Sequence, residues 1–536
     1  MRYGSIRPIE KRIPAARQGA KRHYGVHPYF TRRPYNVVRD YVLHYSREGD
    51  VVLDPFGGSG VTAIEAYLEN RTGIQNDINP LANFIAESLV HLPDASDREI
   101  SDAFAQVDSL CRPVLQKMHN ATRTPPLPAE VTLPPNVALP KNADVSTYQE
   151  LFTDEQLRSL AILKHAIDSI RGPAQSVLLL AWSGALSRLN KTFISTNGRV
   201  ESRGGSSIFS IYRYKVARRL VALDPWTVFA GRFRHVLAAR KEMVNAIELK
   251  KRTTGWRGRF LCFSKDVMDL EHEFPEGVDY IFTDPPYGGH ISYMDLSTLW
   301  NVWLGMPPSS EAQEKELIVG GERGFSEERY IKLLYQSISA SFAMLKKQRW
   351  LSVVFQHWNV SYFKAILEAA RDSGAELRSA VSQIGDPIWS MHKKKNKATV
   401  LAGEVILTFF KDGLRTGYGT GPTRPVHIEK LVDEILAESN GAPLYGEYLF
   451  NRMVVEAWKK GVIDELKVTK DDLTFLLERR GWHYDESGHV WTRRDRQDPD
   501  SIWAPALTPT TRQEREPIGS VSDKARTRTR DDDSGD

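Results

Sequence analysis

Cysteine is almost missing from this chain: Cys111 and Cys262 are the only two in 536 residues. Without spaced partners they exclude a disulfide framework and a zinc cluster of the usual thiolate kind. They fit a reducing compartment, so a cytoplasmic location and no bound metal are expected. Long apolar runs are missing as well, none approaching the roughly 20 residues that a membrane helix needs. The first forty residues also lack the apolar segment of a cleavable leader, so no membrane partner is expected. Strong overall charge is a third absence, the net value being only +5.

What is present is unevenly distributed. Residues 1–40 hold ten Lys or Arg against Glu10 and Asp40, a local balance of +8. Such an arm suits a polyanion, although a solvated leader would have the same composition. The length exceeds one compact core, so a catalytic domain with added modules is expected. Apolar positions Val37, Val38, Tyr41 and Val42 recur at helical spacing. Buried-type strands are expected at Val51–Leu53, Thr72–Gln75, Tyr280–Thr283 and Trp350–Phe355, and in two further stretches at about 376–383 and 400–410. Helices alternate with them at Val61–Tyr67, about 330–345 and about 362–373. A proline-rich connector around Pro125–Pro140 and a capping box at Thr153-Asp154-Glu155-Gln156 interrupt this alternation.

These features divide the chain into a basic arm (1–22), one half of an α/β domain (23–91), a mostly helical insert (92–255), the second half (256–415), a small helical or winged module (423–494) and a disordered tail (495–536).

Two turns carry the chemistry. Asp54-Pro55-Phe56-Gly57-Gly58-Ser59-Gly60 follows the first strand and opens a helix, where glycines let backbone approach a ligand and helix N–H groups stand unpaired. Glycine turns occur in many folds, so this one alone does not separate a site from a tight turn. Asp77 sharpens it, standing 20 positions after Gly57 at the end of the second strand, where an acid can accept from both ribose hydroxyls. No Lys-Ser or Lys-Thr follows the glycines to clamp phosphates, which argues against a nucleoside triphosphate. An adenosine-type ligand without phosphates remains, with Asp54 placed to meet an amino group.

The second turn, Asp284-Pro285-Pro286-Tyr287, follows a hydrophobic strand and so falls at the carboxyl edge of an open sheet. If the Asp284 carboxylate and the Pro285 carbonyl accept the two hydrogens of an exocyclic amine, the nitrogen lone pair is released from ring resonance for attack. The prolines stiffen the turn in advance, and Tyr287 offers a face for an extruded base. Asp266 is a weaker candidate for contacting an adenine; a surface turn would explain it nearly as well.

Together these motifs resemble the bacterial and phage DNA amino-methyltransferases, which join an Asp-Pro-Phe-x-Gly-Ser-Gly turn to an Asp-Pro-Pro-Tyr turn. His27–Pro34 and the helix after it look like that family's additional cofactor-side motif, placing His27 among the cofactor-binding candidates. The resemblance spans roughly residues 23–90 and 260–412. It implies S-adenosylmethionine as cofactor, a flipped base in double-stranded DNA as substrate, and a doubly wound, Rossmann-like seven-stranded sheet with a reversed last hairpin. Adenine N6 is favoured over cytosine N4 as the target. Restriction-modification or phage defence, with a separate partner protein, is the expected setting.

The chain departs from compact members by the 224 positions between Gly60 and Asp284. That leaves three candidates for gripping DNA. One is the insert, where Arg188, Lys191, Arg199, Arg203, Arg213, Lys215, Arg218 and Arg219 interleave with Phe193, Phe209, Tyr212 and Tyr214. The others are the run containing Lys393, Lys394 and Lys395, and the module after 423. A solvated helical face would also explain the insert's charges. Methylation at cytosine C5 is excluded, because it needs a thiolate, usually after proline, and Cys111 and Cys262 both follow leucine. A transfer-RNA guanine methyltransferase and a noncatalytic DNA-binding subunit stay open as alternatives. The second would be expected to have lost an acceptor or a glycine, and neither is lost.

Overall fold

The computed structural model describes residues 2–16, 23–195, 204–289, 291–384, 403–413, 427–485 and 490–493. Arg199, Arg203, Lys393, Lys394, Lys395 and the expected tail lie outside these residues.

Seven strands form one sheet: β1 (Val51–Asp54), β2 (Thr72–Asn76), β3 (Arg259–Phe263), β4 (Val278–Thr283), β5 (Leu345–Phe355), β6 (Ala375–Ile384) and β7 (Gly403–Lys411). Their spatial order is β3-β2-β1-β4-β5-β7-β6. The first five are parallel, and β7 runs antiparallel to both of its neighbours. The chain therefore winds outward from β1 in one direction and then from β4 in the other. This is the expected doubly wound α/β class with a reversed last hairpin, and its switch point lies between β1 and β4.

Side chains alternate across the sheet, so each strand feeds two cores. Val52, Tyr280 and Phe282 join the core beneath helices Tyr35–Tyr45 and Val61–Leu68. Leu53 and Ile281 join the opposite core, beneath Glu327–Met344 and Val360–Asp372. Every residue of β4 is buried, which fits its apolar centre Tyr280–Phe282, and its buried Asp279 is paired with Lys346 and Arg349. Packing is tight where β2 meets the helix before it. A Cβ on Gly73 would stand 2.0 Å from the Ala63 carbonyl oxygen. Gly73→Ala is expected to cost at least about 2 kcal/mol of stability by forcing helix and strand apart, read as a lower urea midpoint.

Strand patterning gave no sign of β3. It is the sheet edge, half-exposed and opened by the exposed Arg259, so neither an apolar run nor a clean alternation marks it. The insert folds as four long helices, Asp97–His119, Asp154–Asp168, Ala174–Leu186 and Pro225–Thr253. They are joined by aromatic contacts such as Phe104 on Phe233, with ring centres 4.2 Å apart. The capping box at Thr153 forms: Thr153 Oγ1 accepts from the Gln156 N–H, and Gln156 Oε1 accepts from the Thr153 N–H.

The described part of the basic arm does not extend into solvent. Trp350 Nε1 donates to the Tyr3 carbonyl at 3.0 Å, and the Ile9 N–H donates to the Tyr45 hydroxyl at 2.8 Å. Ile6, Ile9 and Ile13 pack against the core. Apolar side chains between the charges hold residues 2–16 to the domain, so this stretch is neither a free polyanion grip nor a solvated leader.

After the sheet come helices Ile428–Glu438, Gly446–Lys459 and Lys470–Glu478, then a hairpin of Trp482–Asp485 with Val490–Arg493. Leu444 bridges to Trp491, adding a third short strand segment, the connectivity of a winged helix. Among the described residues no helix is long and apolar enough to cross a membrane.

Candidate active site

Because β1 and β4 are direct neighbours, the turns that follow them stand side by side at the carboxyl edge of the sheet. Both line one cavity. Its walls include Asp54–Ser59, Asp77, Asp266, Asp284 and Pro286.

The glycine turn is tied down from below. The Gly57 N–H donates to the Asn76 carbonyl at 2.8 Å, and the Gly58 N–H donates to Asp77 Oδ2 at 2.9 Å. Gly58 and Gly60 have φ of +51° and +88°, which a side chain would strain. Gly60 does not line the cavity. It caps the following helix, and a Cβ there would stand 2.6 Å from the Ala86 Cβ.

Three carboxyls line the same space, Asp54 and Glu316 buried and Asp77 half-buried. Asp54 accepts from the Phe56 N–H (3.1 Å), Thr62 Oγ1 (2.8 Å) and Thr283 Oγ1 (2.9 Å), and burial pushes it up to about 7. Asp77 accepts from the Gly58 and Asn79 N–H groups, and burial pushes it up to about 6. Glu316 accepts from the Met294 N–H at 3.1 Å, and burial pushes it up to about 8. Each folded-state value lies above the ordinary carboxyl range. The associated stability is therefore fully present below about pH 4 and lost as pH rises through 6 to 8. The ligand-free protein is expected to lose stability across that window in urea titrations at successive pH values, and a cationic ligand that binds the ionised acids should reduce the loss.

Asp266, half-buried at the start of a short helix, lines the cavity near Met268. His27 does not line it. That imidazole is 1% exposed, its Nδ1 bonded to the Pro28 carbonyl and its Nε2 to Ser183 Oγ, and burial holds it down at about 3. His27 is thus a neutral core residue joining its segment to the insert, and the same segment reaches the cavity through Tyr29, Thr31, Arg32 and Arg33. All four lie in the His27–Pro34 stretch that resembles a cofactor-side motif, from which sequence reasoning drew only His27 as a binding residue; Glu316 it did not mark at all. Arg32 donates to Ser59 Oγ at 2.8 Å and to the His27 carbonyl at 2.7 Å, and burial lowers it to about 10.

In the second turn, the Pro285 carbonyl accepts from no donor among the described residues, and Tyr330 fixes the loop by donating to the Pro286 carbonyl at 2.5 Å. Tyr287 lies outside the cavity wall. Its hydroxyl donates to Asp284 Oδ1, its ring edge packs on Phe355, and Arg33 stands 5.6 Å from its ring centre. The stacking face expected of Tyr287 is therefore already partly covered.

The DNA-binding candidates fare unevenly. Phe193 and Tyr214 are core residues, and the Tyr214 hydroxyl donates to backbone carbonyls of Asp295 and Leu296. Phe209 packs on Phe30 and Trp300. The insert's aromatics thus brace the helix Tyr293–Asn301 beside the cavity instead of forming a wedge for bases. Arg213 is paired with Asp144 and Arg188 lies 5.2 Å from the Phe193 ring centre, while Lys191 is half-buried. The exposed face of helix Lys470–Glu478 carries Asp471, Asp472 and Glu478, a poor surface for phosphates. Among the described residues no group of three or more His, Cys, Asp or Glu could hold a metal.

Residues 10–87, which contain the glycine turn and Asp77, match a family described as DNA methylase, of the N6/N4 kind. Over 46 residues the chain is 48% identical to the orphan methyltransferase M.BamHII of Bacillus amyloliquefaciens, a stretch covering 9% of this chain and 17% of that relative. The chain thus spans about a sixth of the length of the curated relative it matches. A solved antibiotic-resistance methyltransferase, Kmr, aligns at 14% identity over 33% of this chain and 72% of that one, with a TM-score of 0.18, too low to bear on the fold. The matched segment supplies one wall of the cavity, and the Asp284 turn on the other side comes from outside the matched stretch.

Proposed function

We propose that the chain transfers a methyl group from S-adenosylmethionine to an exocyclic amino group of a base in double-stranded DNA, adenine N6 ahead of cytosine N4. The observation that carries this is the adjacency of β1 and β4, which brings the glycine turn and Asp284 to one cavity.

The residues suit the cofactor. Asp77 keeps acceptor capacity on both oxygens for ribose hydroxyls. Asp54 and Glu316 are buried acids that a cationic group would hold ionised, and Arg32 has no carboxylate partner among the described residues and can meet the methionine carboxylate. Asp266 and Met268 stand where the adenine would lie. When bound, the cofactor supplies an electrophilic methyl on its sulfonium. The protein's part is to receive a flipped base, take its amine hydrogens on Asp284 and Pro285, and point the nitrogen lone pair across the cavity.

Equilibrium dialysis with S-adenosylmethionine and with ATP tests the cavity reading. One equivalent of the first and none of the second is expected; ATP binding in its place would overturn it. DNA affinity should fall as salt rises. Single-molecule sequencing of host DNA with and without the gene reads the base and recognition site. A cytoplasmic location is the one we propose, read by fractionation of host cells. Restriction-modification or phage defence with a separate partner is the setting we propose, read by co-purification from the host.

A further inference from the structure

Two consecutive arginines reach the two turns. Arg32 bonds Ser59 in the glycine turn, and Arg33 bonds Asp284 in the other. Arg33 precedes Pro34, which disfavours helical backbone, and in extended chain successive side chains diverge, so one short segment can serve both turns.

Arg33 makes a dense set of contacts. Its Nε and Nη2 donate to the two oxygens of Asp284 at 2.5 and 3.1 Å, and Nη2 also donates to the Tyr287 hydroxyl at 2.7 Å. Its Nη1 pairs with Glu404. A carboxylate oxygen has about two acceptor sites. Oδ1 of Asp284 uses both, for Arg33 and Tyr287, whereas Oδ2 uses one. Among the described residues one site on Oδ2 therefore stays open, and the carbonyl of the next residue, Pro285, accepts from no donor. An exocyclic amine offers two hydrogens.

We propose that Arg33 is a positioning residue for methyl transfer: by clamping Asp284 and Tyr287 it leaves the Oδ2 site and the Pro285 carbonyl as the acceptor pair for a base amine. The assignment rests on reading the cavity as a methyl-transfer site. Among the described residues the charged and titratable groups acting on Asp284 are Arg33, Glu404, Asp54, Tyr287 and Tyr293, and Arg33 is the cation in this set. Burial raises the Asp284 carboxyl and Arg33 opposes that rise. Without the guanidinium the carboxyl gains a proton at higher pH, and a protonated oxygen presents a donor where the amine needs an acceptor.

The test is kcat/KM for DNA between pH 5.5 and 9 in the parent, Arg33→Met and Arg33→Lys, with cofactor Kd measured alongside. Arg33→Met should lower kcat/KM by about 100-fold at pH 7. Its acid limb should move up by at least about one pH unit, so that part of the activity returns at pH 9. Arg33→Lys, which keeps the charge, should recover part of the loss, and cofactor Kd should stay within about threefold. If the methionine variant precipitates, Arg33→Gln is read the same way. Parent activity with an unmoved acid limb in the variant overturns this assignment alone. A parent that binds the cofactor and labels no DNA overturns the methyl-transfer reading and this assignment with it.

Discussion

Asp284→Ala is expected to lower methyl transfer at least about 1000-fold while leaving S-adenosylmethionine affinity within about threefold of the parent. The carboxylate stands at the tip of a loop fixed by two prolines and by the Tyr330 bond to the Pro286 carbonyl, so its loss removes an acceptor without collapsing the turn. The cofactor side is held by other groups: Asp77 through the Gly58 and Asn79 N–H groups, and Arg32 through Ser59. The base amine is left without its acceptor, and the alanine side chain cannot replace it. Arg33, Tyr287 and Glu404 would then face each other without the carboxylate they surround, so some loss of stability should accompany the loss of rate. Single-turnover transfer together with cofactor titration separates the two effects.

Asp77→Ala should act in the opposite order. Hydrogen bonds to a charged group contribute about 1.5–3 kcal/mol each, so losing the acceptor for the ribose hydroxyls should weaken cofactor binding about 10- to 100-fold. Asp77 also accepts from the Gly58 N–H, so the variant loosens the glycine turn itself, which pushes the effect toward the upper end. At saturating cofactor the transfer rate should fall by less than about tenfold, since the acceptors at Asp284 and Pro285 are untouched. Isothermal titration with the cofactor, followed by rates at saturation, reads this. A normal Kd in Asp77→Ala would remove the ribose role.

Much of this site could be read from sequence because both turns are contiguous and each follows a buried strand. Val51–Asp54 and Val278–Thr283 are apolar enough to be recognised as strands, and in a doubly wound sheet the residues just after such strands must lie at the ligand edge. Asp77 was accessible for the same reason. Arg32 and Arg33 were marked only as part of the His27–Pro34 stretch and Glu316 not at all, because their contacts come from chain segments brought together by the sheet. Arg33 meets Asp284 across 251 positions, and Glu316 is an ordinary acid in a charged stretch until Met294 and the cavity wall enclose it. His27 shows the converse: motif membership suggested a ligand contact, but Ser183 in the insert takes its ring nitrogen and buries it. The insert's aromatics misled in a similar way. Interleaving with arginine suggested an exposed surface, yet helix packing drew Phe193 and Tyr214 into the core.

Transfer of tritiated methyl from labelled S-adenosylmethionine to unmethylated double-stranded DNA, followed by digestion to nucleosides, addresses the pairing of the two turns most directly. Label in N6-methyladenine or N4-methylcytosine with the parent, and none with Asp284→Ala, is the expected result. Label in transfer RNA with none in DNA, or equal labelling by parent and variant, would contradict it.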